Sequence, residues 1–150
     1  MSETQAPEIL APQAVSPPRA PVVARGHARN DGGQWETALR IGHHDLIADE
    51  SRRLDGQDKG PAPFEYLLGA LGACTAITLR MYAERKAWPL EAVDIDLAYR
   101  EEAGAPVVDR RLAFQGPLDA DQRARLAEIA ERTPVTKVLK TSVDIRTTVT

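Results

Sequence analysis

The sequence predicts an α+β protein in which mainly antiparallel strands wrap a long central apolar helix. Three observations carry that prediction. Segments with a period of two come in runs, three before the helix and two after it. The helix itself is apolar nearly all round for four turns. An amphipathic helix, a short second helix and one last alternating segment close the chain. Strands and helices grouped in runs mark the α+β class.

The elements follow in order. Residues 1–22 read as a disordered tail, with Pro7, Pro12, Pro17, Pro18 and Pro21 and no aromatic residue. Such a segment cannot bury enough apolar surface to offset its ordering entropy. The domain is expected over 23–150. "VVARGHARN" and "QWETALRIG" flank "DGG", a hairpin signal. In the second run Trp35, Thr37, Leu39 and Ile41 alternate with polar or small residues, as in a half-buried strand. A third short strand is expected around "DLIADE". "SRRLDGQDKGPAP" then reads as a polar, mobile loop.

The central helix is "PFEYLLGALGACTAITLRMYAERKA", with Pro63 suited to its first turn. Phe64, Leu67, Leu68, Leu71 and Thr75 recur at spacings of three and four. A helix apolar on most sides is buried on most sides. Gly69 and Gly72 each cost about 1 kcal/mol relative to alanine, a cost explained if another backbone packs closely there. One α+β unit of this size has trouble covering such a helix, and sharing it across a homodimer solves that problem.

"LEAVDIDLAYR" puts Val93, Ile95, Leu97 and Tyr99 on one face of a strand. "EEAGA" turns, and "PVVDRRLAFQG" is the expected hairpin partner. "LDADQRARLAEIAER" is an amphipathic helix with Asp119 and Gln122 in capping-box spacing and a stripe of Leu126, Ile129 and Ala130. Thr133 is placed to cap the short helix "PVTKVLK", with Pro134 at its first position. "SVDIRTTVT" is expected as a last strand.

Composition narrows the function classes. Net charge is -3, which gives no electrostatic footprint for nucleic acid. There is one cysteine, so no intrachain disulfide can form. A free thiol is easiest to keep in a reducing compartment, and the cytoplasm is the expected location. No run of 18 or more apolar residues suggests a membrane span, and the acidic start "MSETQAPEIL" lacks the features of a secretory signal.

Cys74 is the residue with chemistry to offer. A free cysteine is often a small buried hydrophobe. To react it needs a cation or a hydrogen-bond donor from elsewhere in the fold. Arg40, near the end of the second strand, is one candidate partner; its plainer role is a solvated strand arginine. Glu65 is another; its plainer role is to complement the positive end of the helix. Nine residues place Glu65 about 13 Å from Cys74 along the axis and on the opposite face, so the two cannot touch within one helix. "HHDLIADE" suggests a metal cluster only weakly, because adjacent histidines on a strand point to opposite faces. No metal site is expected. Nucleotide-loop, GxSxG and CxxC motifs are absent.

At "GPAPFEYLLGALGACTAITLRMYAERKAWPL" the chain resembles the OsmC/Ohr family of thiol-dependent peroxidases, and most of all its OsmC-like branch. "GHHDLIADE" upstream and "IAERTPVTKVL" downstream extend the likeness over roughly 25–150. The resemblance implies an intertwined homodimer with the central helices at its core. It implies reduction of organic hydroperoxides, with no metal or prosthetic group. It maps the peroxidatic cysteine onto Cys74, the family arginine onto Arg40 in "RIG" and the family glutamate near Glu65, although strict spacing falls at Phe64. At the position of the resolving cysteine this chain has Thr133. The implied chemistry is therefore a one-cysteine cycle in which an external thiol restores Cys74. Phe64, Leu67, Leu68 and Trp88 are the expected apolar walls of the substrate pocket. The alternative is a non-catalytic dimer that binds a small apolar ligand near Cys74.

Overall fold

The structure of the protein is a computed structural model that describes residues 20–141 and 143–150. The expected tail lies outside the described residues up to position 19. The element order is β1 (Gly26–Arg29), β2 (Thr37–Ile41), β3 (His44–Ala48), a 3-10 turn (Arg52–Leu54), α1 (Pro63–Arg85), β4 (Ala92–Glu102), β5 (Ala105–Gln115), α2 (Ala120–Ala130) and α3 (Pro134–Lys140). The class is α+β, and both sheets are antiparallel.

β1, β2 and β3 form a meander in sequence order. Asn30 shapes the first connection by donating to the carbonyls of Gln34 and Glu36. β2 pairs β3 in a register that sets Arg40 against Asp45. The β2–β3 turn corrects one expectation. His43 sits in the turn and His44 opens β3, so strand alternation does not separate them. Their ring centroids lie 4.0 Å apart.

Asp49 organises the polar segment that leads from β3 into α1. Its buried carboxylate accepts the amides of Glu50 (2.8 Å), Gln57 (3.1 Å) and Lys59 (3.2 Å). Tyr66 of α1 donates its hydroxyl to the Ile47 carbonyl at 2.7 Å, which ties β3 to the helix. The start of α1 is thus fixed from two sides.

β4 and β5 form a long hairpin closed by Ala103 and Gly104. Both have positive φ, 50° and 80°, the signature of a tight turn matched to strand twist. Their inward face carries Val93, Ile95, Leu97 and Tyr99 from β4, and Val108, Arg110, Leu112 and Phe114 from β5. α1 lies on that face, and α2 and α3 pack beside it. The main core is Leu79, Ala83, Leu90, Leu118, Leu126 and Ala130, at the C-terminal half of α1. The Asp119–Gln122 capping box forms in both directions, at 2.7 and 3.0 Å.

Within one chain α1 buries a single stripe, Leu71, Thr75, Leu79 and Ala83. Ile77 and Met81 stay 59% and 55% exposed. Gly72 meets the Leu97 side chain and not another backbone, whereas nothing lies near Gly69. By length and composition α1 could cross a membrane; in this fold its stripe packs as a core helix does. The expected last strand is absent. Residues 143–150 form no ladder, and Val143, Ile145 and Val149 are exposed. Alternation makes a strand only where a sheet edge takes up its hydrogen bonds, and no strand among the described residues does so.

Candidate thiol site

Cys74 lies midway along α1, half-buried and reduced. Its Sγ accepts a hydrogen bond from the Val135 amide at 3.5 Å. Val135 belongs to the first turn of α3, where backbone amides have no helical partner. Pro134 starts that turn with a fixed φ and no amide of its own. The sequence "TPV" therefore aims one free N–H at the sulfur.

Thr133 stands at the head of this turn, fully buried. It holds the N-cap position, but its hydroxyl does not bond a backbone amide as expected. It pairs with the Thr136 hydroxyl at 2.7 Å. The Thr136 hydroxyl also donates to the Ala130 carbonyl at 3.2 Å. These bonds hold the end of α2 against the start of α3.

Arg110 completes the seam. It projects from the inward face of β5, and its side chain is only 10% exposed. Nη1 donates to Thr75 Oγ1 at 3.1 Å and to Thr136 Oγ1 at 3.0 Å. Nη2 donates to Glu131 Oε1 at 2.8 Å. Glu131 also takes the Lys140 ammonium. The Lys140 and Arg110 bonds hold the Glu131 carboxyl below the usual carboxylate range, against the opposing effect of partial burial.

A cleft of about 730 Å³ opens beside this network. Phe64, Leu67, Leu71, Tyr99, Val108 and Leu139 form its apolar walls, and Arg110, Glu131, Thr136 and Lys140 its polar side. Phe64 stacks on Tyr99 with centroids 4.4 Å apart. Cys74 is not itself a lining residue; it lies three residues past Leu71 on α1 and bonds the neighbour of Thr136.

The residues expected at the site divide into three groups. Phe64 and Leu67 line the cleft. Leu68 is half-buried on α1 and is not among the lining residues, and Trp88 packs edge-on against Tyr82 at the main core, beyond the far end of α1. Arg40 and Glu65 are not brought to Cys74 within one chain. Arg40 pairs with Asp45 at 2.6 Å, and Glu65 accepts the Ala62 amide at 2.8 Å, a helix-capping bond. Arg110 was not expected. The signal for it was present: it shares the inward face of an alternating strand with Val108, Leu112 and Phe114, where a cation needs a buried partner.

Fold and site together define an α+β protein with a single thiol on its central helix, seated under the first turn of another. Residues 56–148 match the family model described as OsmC-like protein, and the chain belongs to that family. Solved structures share the fold. An OsmC-like protein from Mycoplasma pneumoniae is 14% identical, with 78% of this chain and 86% of that one covered at a TM-score of 0.66. An organic hydroperoxide resistance protein OsmC from Legionella pneumophila is 20% identical, with 84% and 95% covered at 0.59. An organic hydroperoxide resistance protein from Elizabethkingia anophelis is 14% identical, with 81% and 91% covered at 0.60. No curated protein matches the chain significantly.

Proposed function

We propose that the protein is a one-cysteine thiol peroxidase that reduces organic hydroperoxides in oxidative-stress defence. One observation carries this reading: the only thiol of the chain accepts an amide hydrogen bond from the helix turn that follows Thr133. A thiolate gains more from such a donor than a thiol does. Cys74 attacks the distal peroxide oxygen. The S–O bond forms as the O–O bond breaks, and the departing alkoxide takes a proton to leave as alcohol. Cys74 is left as a sulfenic acid.

Thr133 cannot resolve that acid, since a hydroxyl forms no disulfide. An external thiol attacks the sulfenic sulfur and releases water. A second one cleaves the mixed disulfide and returns Cys74 as a thiol. Two thiols are consumed per peroxide, and no metal or prosthetic group enters the cycle. A reducing compartment, the cytoplasm, suits this demand. Arg40 and Glu65 enter this reading only through the family resemblance, since one chain engages them elsewhere.

We also propose a homodimer. The exposed apolar side of α1, the exposed 143–150 segment and a groove of about 800 Å³ between the β1–β3 sheet and α1 leave a large apolar surface for a second copy.

A second reading has its own observation. One side of the cleft is apolar and Cys74 is not among its lining residues, as in a binder of small apolar ligands. Turnover separates the two. With dithiothreitol as reductant, the protein should consume cumene hydroperoxide catalytically, and Cys74→Ser should stop it. A Cys74→Ser variant that turns over like the parent would refute the peroxidase and favour the binder.

A further inference from the structure

We propose that Arg110 is a positioning residue for Cys74. The inference rests on the reading of Cys74 as a working thiol, and concerns how that thiol is held. Thr75 follows Cys74 in α1, and Thr136 follows Val135 in α3. One nitrogen of Arg110 donates to both hydroxyls, at 3.1 and 3.0 Å. The guanidinium therefore spans the two residues that flank the contact between Sγ and the Val135 amide.

The direction of each bond makes Arg110 hard to replace. Thr75 commits its proton to the Leu71 carbonyl at 2.7 Å. Thr136 can commit its own to the Ala130 carbonyl. Both oxygens are buried and must then accept. Arg110 is the donor that reaches both, and Glu131 orients it from behind through Nη2. Thr133 still reaches the Thr136 oxygen without it, but removing Arg110 leaves the buried Thr75 hydroxyl short of a donor and the α1–α3 seam without its bridge. The Val135 amide is then free to drift off the sulfur.

The consequence falls on the thiolate more than on the thiol, because the amide bond favours the anion. The charged groups lining the cleft on this side of α1 are Arg110 from β5, Glu131 after α2, Lys140 from α3 and Asp109 of β5, which pairs outward with Arg100. β4 presents only apolar side chains and Tyr99 on its inward face. Arg110 is thus the buried cation of the seam.

The test is the pH profile of Cys74 alkylation by iodoacetamide in the full-length protein, with Val135 amide exchange followed alongside. Arg110→Met should move the profile to higher pH and slow alkylation at neutral pH about tenfold. Val135 should exchange faster. Thr136→Val keeps the guanidinium and the side-chain shape but removes one arm of the bridge. It should shift the profile the same way by less. Profiles of both variants that superimpose on the parent would overturn the proposal. If Arg110→Met does not fold, Thr136→Val decides alone. Alkylation needs no peroxide, so this result is independent of whether Cys74 reduces one.

Discussion

Asp49 shows how one residue can hold a segment in place. Burial pushes its carboxyl up, but the amides of Lys59, Glu50 and Gln57 and the Lys59 charge outweigh burial and hold it below the ordinary range. A depressed folded value gives stability that is fully present above the unfolded value of about 3.9, and lost as pH falls through the folded one. Asp49→Asn should therefore flatten the acid side of the stability curve, measured by denaturant midpoints from about pH 5 down to pH 2. An unchanged slope would show that the segment does not depend on that charge. Legibility at this scale was uneven. Cys74 stood out because the sequence holds no other cysteine. Glu65 was legible as a helix-start residue, and the Ala62 amide bond makes it one. Arg110 was missed because its partners come from three other elements, and no spacing within β5 reveals them.

At the scale of elements, α1 and α3 meet at the sulfur. The periodicity of α1 and the "TP" start of α3 were readable, because proline and helical spacing act locally. Their meeting is a long-range event, with Cys74 and Val135 61 positions apart in the sequence. Only the family resemblance suggested it. The last strand failed for the same reason, since "SVDIRTTVT" has the pattern but residues 143–150 pair with no sheet edge among the described residues. The α1–α3 seam yields a prediction about the missing resolving thiol. Thr133→Cys places a second sulfur at the head of the turn that touches Cys74. One equivalent of hydroperoxide should then give an intrachain disulfide, seen as loss of two hydrogens in the intact mass. Two cysteines that remain separately alkylatable would show that the turn does not bring them within reach.

For the whole molecule, the α+β class followed from the grouping of strands and helices, and both hairpins followed from alternation and turn residues. The sharing of α1 was an inference from its all-round apolar surface, and one chain leaves Ile77 and Met81 bare. Sedimentation equilibrium should give twice the chain mass, and Ile77→Asp should shift the protein toward monomer. A folded parent that sediments as a monomer at micromolar concentration would contradict the shared helix. The function turns on a smaller event, the first encounter of Cys74 with a peroxide. The folded protein should be mixed with one equivalent of cumene hydroperoxide in the presence of dimedone, and the peptide holding Cys74 weighed. That peptide should carry one dimedone on Cys74, the mark of a sulfenic acid. A free thiol on the folded protein, under conditions where the unfolded chain is oxidised, would contradict it.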